Sequence, residues 1–205
     1  MIGTLFLDVG GVLGTNGWDR NMRRAAAEKF GLDLADLDMR HKQTFGTYEE
    51  GKITLDEYLE RTVFCKPRDF SLDEFRAYMI QQSQPWRDMI SLMMETKALN
   101  GLRVAITSNE GRELAEHRIS YFGLRELGDV FIFSSFIGLR KPDLTFYRMA
   151  LDISQSLPGE VLYLDDRDLF VEVAVRRVGV NGFPHKDIEE TRQRLAQLGL
   201  KVAQA

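Results

Sequence analysis

Four short apolar runs stand out along the chain: "IGTLFL" (2–7), "RVAIT" (103–107), "VFIFS" (130–134) and "VLYL" (161–164). They lack the polar alternation of a strand with one wet face, so they predict parallel strands buried on both sides. A weaker fifth run is "GVNGF" at 179–183. Between the later runs the pattern turns helical. "EGRELAEHRISYFG" is predicted to open on Asn109 as N-cap and close at Gly123. "PDLTFYRMALDIS" has Pro142 at its first helical position, and "DRDLFVEVAVRRVG" closes at Gly179. This strand–helix alternation predicts an α/β fold, a parallel sheet between two helical layers.

From about residue 17 to 94 the pattern changes, and no run reads as a strand. "RNMRRAAAEKFG" predicts a helix stopped by Gly31. Thr54-Leu-Asp-Glu57 and Ser71-Leu-Asp-Glu74 are capping-box signatures. A long helix, "PWRDMISLMMETKALNG", is predicted to open at Pro85 and to lead back to the sheet in its last turns. We therefore expect a sheet domain made of 1–16 and 95–205, interrupted by a mostly α-helical insert at 17–94.

Composition narrows the function. With 27 Lys and Arg against 31 acids, a net charge of −4 and no basic block, neither nucleic acid nor an anionic membrane is an expected partner. The single cysteine, Cys65, allows no internal disulfide and no cysteine-built metal site. His41, His117 and His185 are too scattered for a ligand pattern and read as packing or surface residues. No apolar stretch reaches the ~20 residues of a membrane span, and the N-terminus reads as a first strand rather than a signal peptide. The expectation is a cytoplasmic protein; monomer and dimer both stay open.

The residues after each apolar run carry the chemistry. In a parallel sheet all strand C-termini share one edge, where ligands bind. Asp8 follows the first run, then the glycines Gly10 and Gly11. Ser108 and Asn109 follow the second, Lys141 lies beyond the third, and Asp165 and Asp166 follow the fourth. Each alone has a plainer reading, as a helix cap or a solvated lysine. Together they suit phosphoryl transfer. Carboxylates can hold one Mg²⁺, and a carboxylate can attack phosphorus to give an aspartyl-phosphate. An ammonium, a hydroxyl and backbone N–H groups can hold the phosphoryl oxygens.

These stretches resemble the four motifs of the haloacid dehalogenase-like (HAD) hydrolase superfamily: "FLDVGGVL", "VAITSN", "SSFIGLRKPD" and "LYLDDRD". The insert, with "EEGKITLDEYL", is similar to that family's four-helix cap. The resemblance covers nearly the whole chain and implies a three-layer, Rossmann-like core. It implies Asp8 as nucleophile and metal ligand, Ser108 with Asn109, Gly10 and Gly11 around the phosphoryl group, and Lys141 bridging that group to Asp8. It implies Mg²⁺ held by Asp8, Asp166, Asp165 and the carbonyl of Gly10, and a small phosphorylated metabolite as substrate.

Two positions depart from the family's phosphatase pattern. Gly10 stands where a second Asp usually acts as general acid and base, which resembles the subgroup reading D-x-G-G-V. Hydrolysis would then favour good leaving groups such as sugar 1-phosphates. Phe170 stands where similar chains place Asn. Trp18, Arg20 and Arg61 are candidate specificity residues of the cap. The rival from another class is a non-catalytic phospho-ligand binder or regulator, which Gly10 favours and the intact Asp8, Lys141 and Asp166 oppose. Dehalogenation needs no cation, so the acidic pair argues against it. "GGVLGTNG" does not match a dinucleotide-binding fingerprint, and no P-loop is present.

Overall fold

A computed structural model describes residues 1–202. The chain runs β1 (Thr4–Leu7), α1 (Arg20–Phe30), α2 (Leu34–Glu49), α3 (Leu55–Thr62), α4 (Leu72–Gln81), α5 (Arg87–Asn100) and β2 (Arg103–Ser108). Then follow α6 (Arg112–Tyr121), α7 (Leu124–Leu127), β3 (Val130–Phe133), α8 (Ser134–Ile137), α9 (Leu144–Ser154) and β4 (Val161–Asp165). The last elements are α10 (Asp168–Val173), β5 (Asn181–Pro184) and α11 (Ile188–Gln197), with one π-helical stretch, Ala174–Val178, continuing α10.

The five strands form one parallel sheet in the order β3-β2-β1-β4-β5. Alternation along each strand feeds two cores. Leu5, Leu7, Val104, Ile106, Leu162 and Leu164 join the cluster built with α5, α6, α7 and α11. Phe6, Ala105, Val161 and Tyr163 join the opposite cluster with Phe146, Tyr147 and Ala150 of α9 and Phe170 and Val171 of α10. Both faces are covered, so the strands read as unbroken apolar runs. The order of connection reverses between β1 and β4, which puts the ligand-binding crevice of an open α/β sheet beside their C-terminal ends.

Helices α1–α4 hold a third, aromatic-rich cluster that includes Trp18, Tyr48, Tyr58, Leu59, Phe75 and Met79. Both predicted capping boxes form, Thr54 with Glu57 and Ser71 with Glu74. Gly31 ends α1 in the left-handed conformation, at φ 61°. Two linkers join this unit to the sheet and pair with one another: Thr15 N donates to Gln84 O (2.9 Å) and Trp86 N to Leu13 O (2.9 Å).

Several helix starts differ from the sequence expectation, two through a side chain and one through a backbone bridge. Asn109 does not cap α6, which has Gly111 at its N-cap, because the Asn109 amide is engaged with Lys141. Pro142 precedes α9; Asp143 caps it by accepting from Thr145 N (2.8 Å). Pro85 lies outside α5, in a bridge with Gly14, and α5 starts at Arg87. Met89, Ile90, Leu92 and Met93 all join the sheet cluster, so α5 packs with the sheet from its first turns, not only its last. The expected domain limit at 205 lies outside the described residues.

Candidate active site

The first strand delivers Asp8 to the crevice. Asp8 N donates to Leu164 O (3.0 Å), which continues the β1–β4 pairing one residue past the strand. The chain then turns tightly, with Leu13 N on Val9 O (2.9 Å) and Gly11 N on Gly14 O (2.8 Å). Gly11 has φ +72°, and a Cβ there would sit 2.4 Å from Asp166 Oδ2. Glycine at this position lets the Asp166 carboxylate lie against the turn. At Gly10 a Cβ would meet Asn16 Oδ1 at 3.2 Å and Arg118 Nη1 at 3.6 Å.

Lys141 reaches the same place from the loop before α9. It is 1% exposed, and its ammonium donates to Asp8 Oδ1 (3.0 Å), Thr107 O (2.9 Å) and Asp165 Oδ2. Burial alone would lower its pKa, but Asp165 and then Asp8 outweigh that and raise it, so the charge is kept. Asn109 holds the Lys141 peptide at both ends: its Nδ2 donates to Lys141 O and its Oδ1 accepts from Lys141 N, both at 2.8 Å. Asn109, expected at the phosphate, lines the cleft and also clamps the lysine. Phe170 lies under two cations, Lys141 Nζ at 5.6 Å and the Arg167 guanidinium at 5.0 Å from its ring centre.

One oxygen from each of Asp8, Asp165 and Asp166 lies within 4.8 Å of the others. Asp165 has both oxygens engaged, Oδ1 by Arg167 N (2.9 Å) and Oδ2 by Tyr163 and Lys141. Asp166 is freer: Asn16 Nδ2 reaches its Oδ2 at 3.4 Å, and its buried Oδ1 has no hydrogen-bond partner among the described residues. Burial, then the charges of Asp8 and Asp165, push Asp166 up to about 6. Asp8 is raised too, by burial and Asp165 against the opposing Lys141. Three crowded carboxylates, one ammonium and an unpartnered carboxylate oxygen fit a hard divalent cation.

Ser108 ends β2 and is 2% exposed; its hydroxyl donates to Glu110 Oε1 (3.2 Å). The cleft over these groups measures 420 Å³ and also admits Asn16, Trp18, Arg20, Arg23, His41, Phe45, Glu49, Arg140 and Arg167. Of the expected cap residues, Trp18 and Arg20 line it and Arg61 does not; Arg61 is exposed on α3. Trp18 is chiefly a packing residue, edge-on to Phe75 and donating to Tyr58 Oη (3.0 Å). His41, expected as a packing or surface residue, packs on Phe45 and bonds Tyr58 Oη (2.9 Å) while also facing the cleft; burial and then Arg23 lower it to about 3, so it is neutral. The missed residues carried a signal. Glu110, Arg140 and Arg167 adjoin motif residues, and His41, Phe45 and Glu49 recur every fourth residue on α2.

The family model of the haloacid dehalogenase-like hydrolases matches residues 2–169. The chain belongs to this family. As an HAD-like hydrolase it shares its architecture with an HAD family enzyme of Bacteroides thetaiotaomicron crystallised with magnesium and inorganic phosphate. The TM-score is 0.76 at 17% identity, covering 91% of this chain and 95% of that one. It is 24% identical over 177 residues to flavin mononucleotide hydrolase 1 of Arabidopsis thaliana, across 85% of this chain and 70% of that protein. It is 28% identical over 200 residues to the drimenol cyclase drtB of Aspergillus calidoustus, spanning 94% of this chain but 36% of that protein. Among the described residues no helix is long and apolar enough to cross a membrane.

Proposed function

We propose that this HAD-like hydrolase is a Mg²⁺-dependent phosphatase of small phosphorylated metabolites, acting through an aspartyl-phosphate on Asp8. The observation that carries the reading is the Lys141 ammonium, buried and bonded to both Asp8 and Asp165 at the switch point of the sheet. Asp8, Asp166 and the Gly10 carbonyl would hold Mg²⁺, with Asp165 beside it. The bound ion supplies positive charge against the phosphoryl oxygens.

Asp8 attacks phosphorus while Lys141 and Ser108 hold the oxygens that gain charge. Asn109 fixes Lys141 for this role. Helices α1–α4 of the expected insert, 17–94, are the cap over the cleft, where Arg20 and Trp18 meet the rest of the substrate. Similarity to a flavin mononucleotide hydrolase and to an enzyme crystallised with phosphate supports a phosphate-bearing metabolite. Because Gly10 bears no carboxyl, anomeric sugar phosphates and other good leaving groups are favoured to the extent that no other side chain protonates the leaving oxygen.

The test is a panel of phosphate esters with Mg²⁺, read as released phosphate, for wild type and Asp8→Asn. Wild type is expected to turn over part of the panel, and Asp8→Asn none of it while folding normally. Turnover preserved in Asp8→Asn overturns the covalent route. No turnover by wild type favours the second reading, a phospho-ligand binder, which rests on Gly10.

A further inference from the structure

Beside Gly10 lies a buried ion pair that the reading above leaves without a role. Arg118 on α6 is fully buried, and its guanidinium donates to Glu110 Oε1 (2.6 Å), Ser83 Oγ (2.6 Å) and Thr15 O (2.7 Å). The nitrogen that holds Glu110, Nη1, is the one 3.6 Å from where a Cβ on Gly10 would stand. The Glu110 carboxyl is therefore brought to the neighbourhood that a side chain at position 10 would enter.

Glu110 is 3% exposed and lines the cleft with Asp8 and Ser108. Its Oε1 accepts from both Arg118 and Ser108, while its Oε2 is buried with no hydrogen-bond partner among the described residues. A purely structural clasp explains Arg118, whose bonds to Thr15 and Ser83 tie together the two linkers. It does not explain Oε2, since an unmet buried carboxylate oxygen costs about 1–3 kcal/mol. A group that exchanges a proton with a bound substrate does explain it.

Resting on the phosphatase reading, we propose that Glu110 is the general acid and base of this enzyme, in place of the carboxyl that Gly10 lacks. As Asp8 Oδ bonds to phosphorus and the bond from phosphorus to the leaving oxygen breaks, that oxygen takes the proton from Glu110. The alcohol departs. Glu110, now a carboxylate, removes a proton from water as its oxygen attacks the phosphorus of the aspartyl-phosphate. The bond to Asp8 breaks, which releases phosphate and restores both carboxyl groups. Burial, opposed by Arg118 and aided by the Asp8 charge, raises Glu110 above the ordinary carboxyl range, as a proton donor requires.

The experiment compares an alkyl phosphate with an aryl phosphate, because only a poor leaving group depends on protonation. Wild type should show a shallow dependence of rate on leaving-group pKa, a measurement that needs no variant. Glu110→Gln, which keeps an oxygen for Arg118, should lower alkyl-phosphate turnover by about 10²–10⁴-fold and aryl-phosphate turnover far less. Gly10→Asp in the Glu110→Gln background should restore alkyl-phosphate turnover in part, once Asn16 yields the few tenths of an ångström that the new Cβ asks. A steep dependence in wild type, or equal losses on both esters in Glu110→Gln, or no loss at all, overturns the proposal. If wild type hydrolyses neither ester with Mg²⁺, the phosphatase reading fails and takes this proposal with it. Turnover of the aryl ester by wild type separates the two failures.

Discussion

Glu49 ties the helical insert to the sheet domain, and its titration is predicted to make stability depend on pH. It is 5% exposed at the end of α2 and pairs with Arg140, the residue before Lys141. Its carbonyl accepts from Ser134 Oγ (2.6 Å), so main chain and side chain both reach across. Burial pushes its carboxyl from 4.5 up to about 7, against the opposing charges of Arg140, Arg167 and Lys141. The folded protein thus binds this proton more tightly than the unfolded chain. Stability is greatest when Glu49 is protonated and falls as pH rises from 4.5 through about 7. At 1.36 kcal/mol per pH unit the full effect is about 3 kcal/mol, of which about 2 kcal/mol lies between pH 5.5 and 7.5. Glu49→Gln removes the titration with little change of shape. Urea unfolding of both proteins in chelator, at half-unit steps from pH 5.5 to 8.5, isolates Glu49 together with its coupling to Glu110, because Asp8 and Asp166 titrate alike in each. The stability of wild type minus that of Glu49→Gln should fall by about 2 kcal/mol over that range. A flat difference would refute the reasoning and show that the Arg140 pairing outweighs the burial of Glu49.

Chelation of divalent ions should abolish phosphate release and Mg²⁺ should restore it, whereas Ca²⁺, which takes more ligands at longer distances, should inhibit; full turnover in chelator would refute the cation role of Asp8 and Asp166. Lys141→Met should strand two buried carboxylates and cost about 3–5 kcal/mol, read as a lowered Tm, with addition of Mg²⁺ recovering part of the loss. Gly51→Ala should destabilise more than Gly31→Ala: both have positive φ, but a Cβ at Gly51 would meet Ser135 O at 2.3 Å and one at Gly31 meets nothing within 4 Å. Equal Tm losses would show that the contact between the 51 loop and Ser135 is not close in solution.

The strands, the helical insert and the order of the motifs were legible because they rest on local rules. A strand covered on both faces must be apolar throughout, and Thr54 and Ser71 cap helices through residues three positions away. Asp8, Ser108, Lys141, Asp165 and Asp166 could be placed on one edge because parallel strands end together. Their division of labour was not legible. Asn109 looked like a cap or a phosphate ligand, and only the fold brings it against the peptide of Lys141. Asp165 and Asp166 are neighbours in sequence, yet one is saturated by Tyr163, Lys141 and a backbone N–H while the other keeps a bare oxygen.

Gly10 shows the limit most clearly. Along the chain it reads as a loss, because the residue type that protonates a leaving group is missing. What stands beside a glycine is a property of the fold. Here it is a guanidinium from α6, eight residues beyond the carboxylate it holds, anchored to the linkers on either side of the helical insert. Glu110 acquires a meaning only once Arg118 and Gly10 are known to be neighbours, and no spacing or periodicity encodes that. The same Arg118 bonds Thr15 and Ser83, where the chain leaves the sheet domain and returns to it. A shift of the insert that moves either linker must therefore move the support of the Glu110 carboxyl. If Glu110 is the acid, the group that closes the cleft and the group that protonates the leaving oxygen hang on one side chain.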